Sequence, residues 1–420
     1  MPVAFDSNVN LTVQIGFDSD PFDSSQSFTD ISSYVRNINI QRGRSNELGQ
    51  FVAGTCSLVL SNTDNRFNPT QTTHYYDSAN ARTKIQPLKT VKVTATYDSS
   101  DYVLFYGFLD QIPVSYPAHG ADSLTTFVAV DAFKIFQSQT IQSVGWRVGQ
   151  SGFSELGVST RLGYDDAVEL TSVRIARLLD SIGFPSAMRT INTGTLNIQQ
   201  QALTTNLLEA MRECETAENA QFFMSGSGYA TFRNRDYKLS NTKAINVQAT
   251  FDNSGSNLPY QNVVTSFDTN EVLNVYEWTR SGGSAQYISD ADSVTRYTAK
   301  TSTQTTKNTS DANVLSIIQQ KIAETALPIE RIDQLTIKPQ QDTDLWTKVL
   351  GLEFGDRVKV NVTNPNASTF SDEVWIESIN HNINAGNQDW TYEVNLSPAG
   401  SSGWVLGQAK IGEGSRFAYA

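Results

Sequence analysis

The sequence predicts a mainly β chain with an α+β middle, and three observations carry that expectation. Segments rich in Thr, Val, Ile, Tyr and Phe recur along most of the 420 residues, the composition of pleated, half-buried surface. Apolar and polar residues alternate strand-fashion near both ends of the chain, and helical spacing dominates only in between. Hydrophobic residues make up 39% and charged residues 18%, so cores can be buried and wholesale disorder is not expected. At about 150 residues per domain, the length favours two or three domains.

The first β region runs from Ile31 to about Phe136. Ile38 and Ile40 alternate with Asn37, Asn39 and Gln41, and Leu58 and Leu60 repeat that period beyond the Gly-containing loop Arg44 to Gly54. Asn62 to Pro69 is turn chemistry, with Asx side chains that bend the backbone. Val91, Val93 and Ala95 alternate with Thr90, Lys92 and Thr94. Val103 to Ile112 is apolar on both faces, which predicts a central strand, and Thr126 to Phe136 reads the same way. A barrel or sandwich follows.

The middle changes period. Ile175, Leu178, Leu179 and Ile182 fall on one helical face, stopped by Gly183 and Pro185. A second helix starts near Asn206, with Glu209 placed as in a capping box and Leu207, Met211 and Cys214 on its core face. Two apolar runs around Ser225 to Gly228 predict a hairpin. Beyond a polar loop at Asp252 to Asn257, strands return from Val263 to Thr279, and the Thr- and Ser-rich span Thr298 to Asp311 reads as an exposed connection. A third helix carries Val314, Ile317, Ile318 and Ile322 and ends at Pro328.

The last β region has the cleanest alternation. Val358, Val360 and Val362 alternate with Arg357, Lys359 and Asn361, and Trp390, Tyr392, Val394 and Leu396 with Asp389, Thr391, Glu393 and Asn395. That predicts antiparallel sheet with one wet and one dry face. The divisions are 1–140, 141–250, 251–400 and an extended tail, 401–420. The tail is rich in Gly and Ser yet carries Trp404, Val405, Leu406, Ile411, Phe417 and Tyr419. Burying those six contributes roughly 9–18 kcal/mol, whereas fixing some twenty residues costs roughly 20–40 kcal/mol. The tail is therefore expected to be mobile in the isolated chain and to be ordered by a neighbour through strand addition.

Charge excludes some functions. The formal net charge is −12 and the sequence pI about 4.8, which opposes docking on a phosphate backbone but not the passage of DNA along a repelling wall. The amino terminus lacks the basic and apolar regions of a signal peptide, and no apolar run approaches a membrane span, so a chain made in the cytoplasm is expected. Cys56 and Cys214 read as buried free thiols. His74, His119 and His381 have no second His or Cys at metal-ligand spacing, and His381, on or beside a strand at Ser378 to Asn382, reads as a packing or hydrogen-bonding residue. Asp18, Asp20 and Asp23 suggest a calcium loop but lack its Gly and distal Glu, so they read as an exposed acidic loop. Gly226 and Gly228 precede neither a Lys nor a helix start, so the hairpin accounts for them. Asn308 and Asn366 match glycosylation acceptors by chance. No nucleophile elbow or zinc-protease helix is present. The expected site inventory is empty: no catalytic, cofactor-binding or metal residues, no cofactor, and no enzymatic activity.

Several stretches, taken together, resemble the tail hub and minor tail proteins of long-tailed bacteriophages. They are Asp30 to Arg36 with Arg42-Gly43-Arg44, Phe51, Gly54-Thr55, Leu58 to Leu60, Asn62 to Asp64 and Phe67 to Pro69; Ala217 to Arg235; Phe267 to Asn274 with Asp290 to Ser293 and Tyr297; and Leu352 to Val360 with Ile379 to His381, Trp390 and Leu396 to Ala399. Asp18 to Ser25 departs from the pattern as an acidic insertion. The resemblance implies two tube-like antiparallel β-barrel or sandwich domains joined by a smaller α/β module, and a homotrimer that presents six such domains to a sixfold tail tube. It also implies a virion location and, as partners, tail tube or distal tail ring proteins, tail-tip or fibre proteins and the tape measure protein. No specific nucleic-acid binding is expected. A sixfold distal tail ring protein and a receptor- or glycan-binding tail-tip protein are the competing readings.

Overall fold

The computed structural model describes residues 3–6, 9–23, 25–115, 123–140, 161–162, 168–202, 206–363 and 370–399. The expectations for the 401–420 tail, His119 and Asn366 fall outside the described residues.

The amino-terminal half is an antiparallel sheet. Its strands are β1 (Val9–Ile15), β2 (Val35–Gly43), β3 (Val52–Ser61), β4 (Thr90–Tyr97), β5 (Ser100–Gln111) and β6 (Leu124–Val130). In space they run β1-β4-β5-β6-β3-β2. The apolar side of β1 and the alternating residues of β2, β3 and β4 form one core with Phe67, Phe105 and Phe127. As its two apolar faces predict, β5 is central, with β4 and β6 on either side.

Helix α1 (Ala132–Ser138) follows at once. Here the structure corrects the sequence reading of one strand from Thr126 to Phe136: the strand ends at Val130. Asp131 accepts from the Phe133 N–H and caps a helix instead. Helices α2 (Thr171–Ser181) and α3 (Leu207–Glu218) form where predicted, and the Asn206 side chain accepts from Glu209 N. The predicted hairpin is β7 (Gln221–Met224) and β8 (Ala230–Arg233).

Next come β9 (Val247–Asp252), β10 (Asn262–Ser266) and a small module built of β11 (Val275–Arg280), β12 (Ala285–Ser289), β13 (Thr301–Thr306) and α4 (Asp311–Thr325). Strand β13 corrects the expected exposed connection at Thr298 to Asp311. Its β-branched threonines pair in parallel with β11, and the outer face of β13 stays wet. Val314, Ile317 and Ile318 of α4 pack on Tyr276 and Trp278 beneath it.

The carboxyl-terminal half contains β14 (Arg331–Ile337), α5 (Thr343–Gly351), β15 (Arg357–Val362), β16 (Phe370–Asn384) and β17 (Asp389–Pro398). The expected alternation holds at Val358, Val360, Trp390, Tyr392, Val394 and Leu396, all buried, and fades at Val362, which is half-buried like its neighbour Asn361. The expected antiparallel order holds among β14 to β17, but β9 pairs in parallel with β15 and β13 in parallel with β11, so the sheets are mixed. No closed barrel forms among the described residues; the sheet is open and branched.

One strand makes the branch. The first part of β16 pairs with β15 from Trp375 to Phe370, and its last part pairs with β2 from Ser378↔Gly43 to Asn384↔Asn37. Its other edge pairs with β17 along most of its length. The two β regions of the sequence are thus one hydrogen-bonded sheet. Helix α5 reinforces the joint, since Trp346 and Leu350 enter the amino-terminal core while Leu345 and Val349 enter the other.

Candidate functional site

The residues singled out in the sequence are dispersed. Asp18, Asp20 and Asp23 lie exposed on a turn: Asp18 pairs with Lys84 at 2.6 Å, and Asp23 accepts from the Asp20 N–H at 2.7 Å. His74 is exposed in a separate loop. Cys56 and Cys214 are buried free thiols, and burial pushes both up. His381 lies buried on β16, where its Nδ1 accepts from Trp390 Nε1 at 3.2 Å. Burial and the charge of Arg42 lower its pKa to about 3, so it is a neutral packing residue. Asn308 is buried, and its side chain donates to the Ala217 carbonyl. Among the described residues, no three His, Cys, Asp or Glu side chains gather as a metal site.

What the structure does bring together is a set of charges at the branch of the sheet. The ladder shifts register between Ile376 and Ser378 as β16 passes from β15 to β2. Glu377 sits at that shift, and its side chain is almost fully buried. It accepts from Arg44 Nε at 2.6 Å and from Ser397 Oγ at 2.6 Å, with Lys238 Nζ at 3.5 Å. Burial alone would raise this carboxyl. The charges of Arg44 and Lys238 and the hydrogen bonds outweigh it and hold the pKa at about 2. Gly43 fits here only because it has no side chain. Its φ is +111°, and a Cβ would lie 2.3 Å from the Glu377 carbonyl oxygen.

A second pair closes the same joint. Arg42 Nη1 donates to both oxygens of Glu353 at 3.2 Å, and Glu353 also accepts from the Gly226 N–H of the β7–β8 turn at 3.1 Å. Burial raises the Glu353 carboxyl, while Arg42 and the Phe354 and Gly226 N–H groups lower it further, for a net fall. Gly226 and Gly228 let this turn press on β5, where a Cβ would meet the Val103 carbonyl at 2.8 Å and the Tyr106 ring at 2.5 Å. Phe51, Phe223 and Phe354 fill the space between, with ring centroids 5.0–5.2 Å apart. Three separate stretches of sequence therefore meet at one place: Arg42-Gly43-Arg44 with Phe51, the Gly226 turn, and Glu353 to Asp356. Sequence reasoning grouped them by order and spacing but assigned them no site. A buried Arg–Glu pair separated by 333 positions has no local signal.

Each carboxylate here is already held by a cation, and the hydroxyl among them, Ser397 Oγ, is buried and donates to Glu377. The arrangement can lock three segments of chain into one body.

No protein-family model matches the chain, and no curated protein matches it. Among solved structures it is similar to a tail protein from Neisseria meningitidis MC58, at 9% identity and a TM-score of 0.59, covering 93% of this chain and 96% of that one. It is also similar to the 43 kDa tail protein of prophage MuSo2 from Shewanella oneidensis, at 12% identity and a TM-score of 0.53, covering 93% and 98%. At such identities the likeness is one of fold, and it extends over nearly the whole of each chain.

Proposed function

We propose that this chain is a structural component of a phage tail, a hub subunit that closes the end of the tail tube and links it to the tail tip or baseplate. The observation that supports this reading best is the fold shared with two tail proteins over nearly their full lengths. The locked branch adds to it, because a subunit that transmits force along a tail needs halves that do not hinge. In this reading residues 1–140 and 251–400 are the two tube-like halves, 141–250 is the joining module, and 401–420 is an assembly arm. Three copies present six halves to a sixfold tube.

A trimer carries a formal charge of −36, three times −12. Acidic groups on its lumen keep DNA from adhering during passage. The chain performs no catalysis. Its partners are tube or distal ring proteins, tail-tip or fibre proteins, and the tape measure protein. Native mass spectrometry of the purified chain, together with the symmetry of a particle reconstruction, tests this. Three copies are expected; a sixfold ring replaces the hub reading with a distal tail ring protein.

A further inference from the structure

Strand β10 is a bare edge of the large sheet. Among the described residues it pairs only with β14, and its other side carries unpaired backbone groups. Val263 turns to the core, while Val264 is 41% exposed and the following Phe267 is 69% exposed. Ile329, just before β14, is exposed as well. Edges that remain open in solution are guarded by lysine, proline or inward charge. From Asn262 to Phe267 there is none of these; a bulge between Val264 and Thr265 is the one guard.

The rim beside this edge is acidic. Asp268, Glu271 and Asp333 surround the single Arg331 at 3.2, 3.2 and 2.9 Å, an excess of two negative charges (3 − 1). An extended segment that fits must bring apolar side chains for Val264 and Phe267, backbone groups for the edge, and positive charge for the rim. The chain contains one. Residues 404–420 hold Trp404, Val405, Leu406, Ile411 and Phe417, with Lys410 and Arg416 against a single Glu413. This segment follows β17, which lies two strands from β10 through β14. At about 3.3 Å per residue its length spans at most roughly 56 Å, ample to reach another molecule.

We infer that residues 404–420 of one copy add as a strand to the β10 edge of a second copy. The inference rests on the reading of the chain as a self-assembling ring subunit, and it names the contact that closes the ring. Full-length protein tests it. Isotopically heavy F267C is mixed with light S415C and joined with a short bis-maleimide. The peptides are then read by mass spectrometry. Heavy–light links between positions 267 and 415 are expected. A V264K/F267K variant should weaken association at least tenfold with no loss in Tm, since both side chains are exposed. Trypsin should then cut at Lys410 and Arg416, which the assembled form protects.

Absence of the heavy–light link overturns the inference. So does a link confined to single molecules of an F267C/S415C chain, or unchanged association of V264K/F267K. If that variant still forms threefold particles, the inference fails and the hub reading stands. A copy number other than three with the heavy–light link present does the reverse.

Discussion

Glu377 shows what a single residue does in this fold. It is the carboxylate at the register shift of β16, it meets Arg44 from the other half of the sheet, and water scarcely reaches it. Arg44 also donates to the Glu47 and Gly49 carbonyls and lies over the Phe51 ring, so its guanidinium cannot swing out to solvent. Removing only the carboxylate leaves that cation buried beside a neutral group, which costs about 3–5 kcal/mol. Glu377→Leu should therefore melt well below the parent. Arg44→Met combined with Glu377→Leu should recover part of the loss, because Lys238 retains access to water. A thermal-melting double-mutant cycle measures this, with an expected coupling of about 1–3 kcal/mol. Strict additivity would mean that the pair does not lock the branch.

At the scale of the element, β15 provides the cleanest test. Val358 is buried between β9 and β16, whereas Lys359 faces partly into solvent. Val358→Asp desolvates a charge at a cost of several kcal/mol, a large share of the roughly 5–15 kcal/mol that holds a domain together. It should unfold or aggregate the chain, while Lys359→Asp should melt within a few degrees of the parent unless it meets a neighbouring subunit. Equal responses on the two faces would refute the assignment. Such strands are legible in sequence because one face is dry and the other wet. Strand β16 was legible only around His381, since it pairs with three strands and is buried on both faces from Val374 to Ile379, which erases the alternation. Helix α5 was missed for a related reason: Leu345 and Trp346 serve two different cores, so its apolar residues form no single stripe. The run from Val128 to Phe136 concealed a helix start because Asp131 is a buried cap inside an apolar stretch. The charges at the branch were visible as residues but not as a site, because only the β2–β16 pairing brings them together.

For the whole molecule, the buried acids set a pH dependence whose sign is unusual. Burial pushes Asp131 and Glu215 up to about 7, and Glu47 likewise, while Asp356 and Asp372 rise to about 6. In the unfolded chain these groups return to about 4. Between pH 7 and about 4 the folded state therefore binds protons that the unfolded state does not, and stability rises as pH falls. His381 opposes this: its folded pKa of about 3 lies below the unfolded value, so it costs stability once pH drops beneath about 6.5. Five carboxylates outweigh one imidazole across that window. The relief of a −12 net charge acts in the same direction as the carboxylates. Below about pH 4 the balance reverses. The five acids then titrate in both states and add nothing more, while Glu377, held at about 2, loses the stabilisation it supplies at higher pH. Melting temperature should thus climb from pH 8 to about pH 5 by several degrees and fall steeply below pH 4. Glu215→Gln isolates one contributor, since an amide oxygen can still accept from the Phe222 N–H that Glu215 Oε1 holds at 3.1 Å. That variant should be more stable than the parent at pH 8 and equal to it near pH 5, flattening the climb. A melting temperature that falls steadily from pH 8 to pH 5, or a Glu215→Gln curve parallel to the parent's, would show that these acids are not held neutral by the fold.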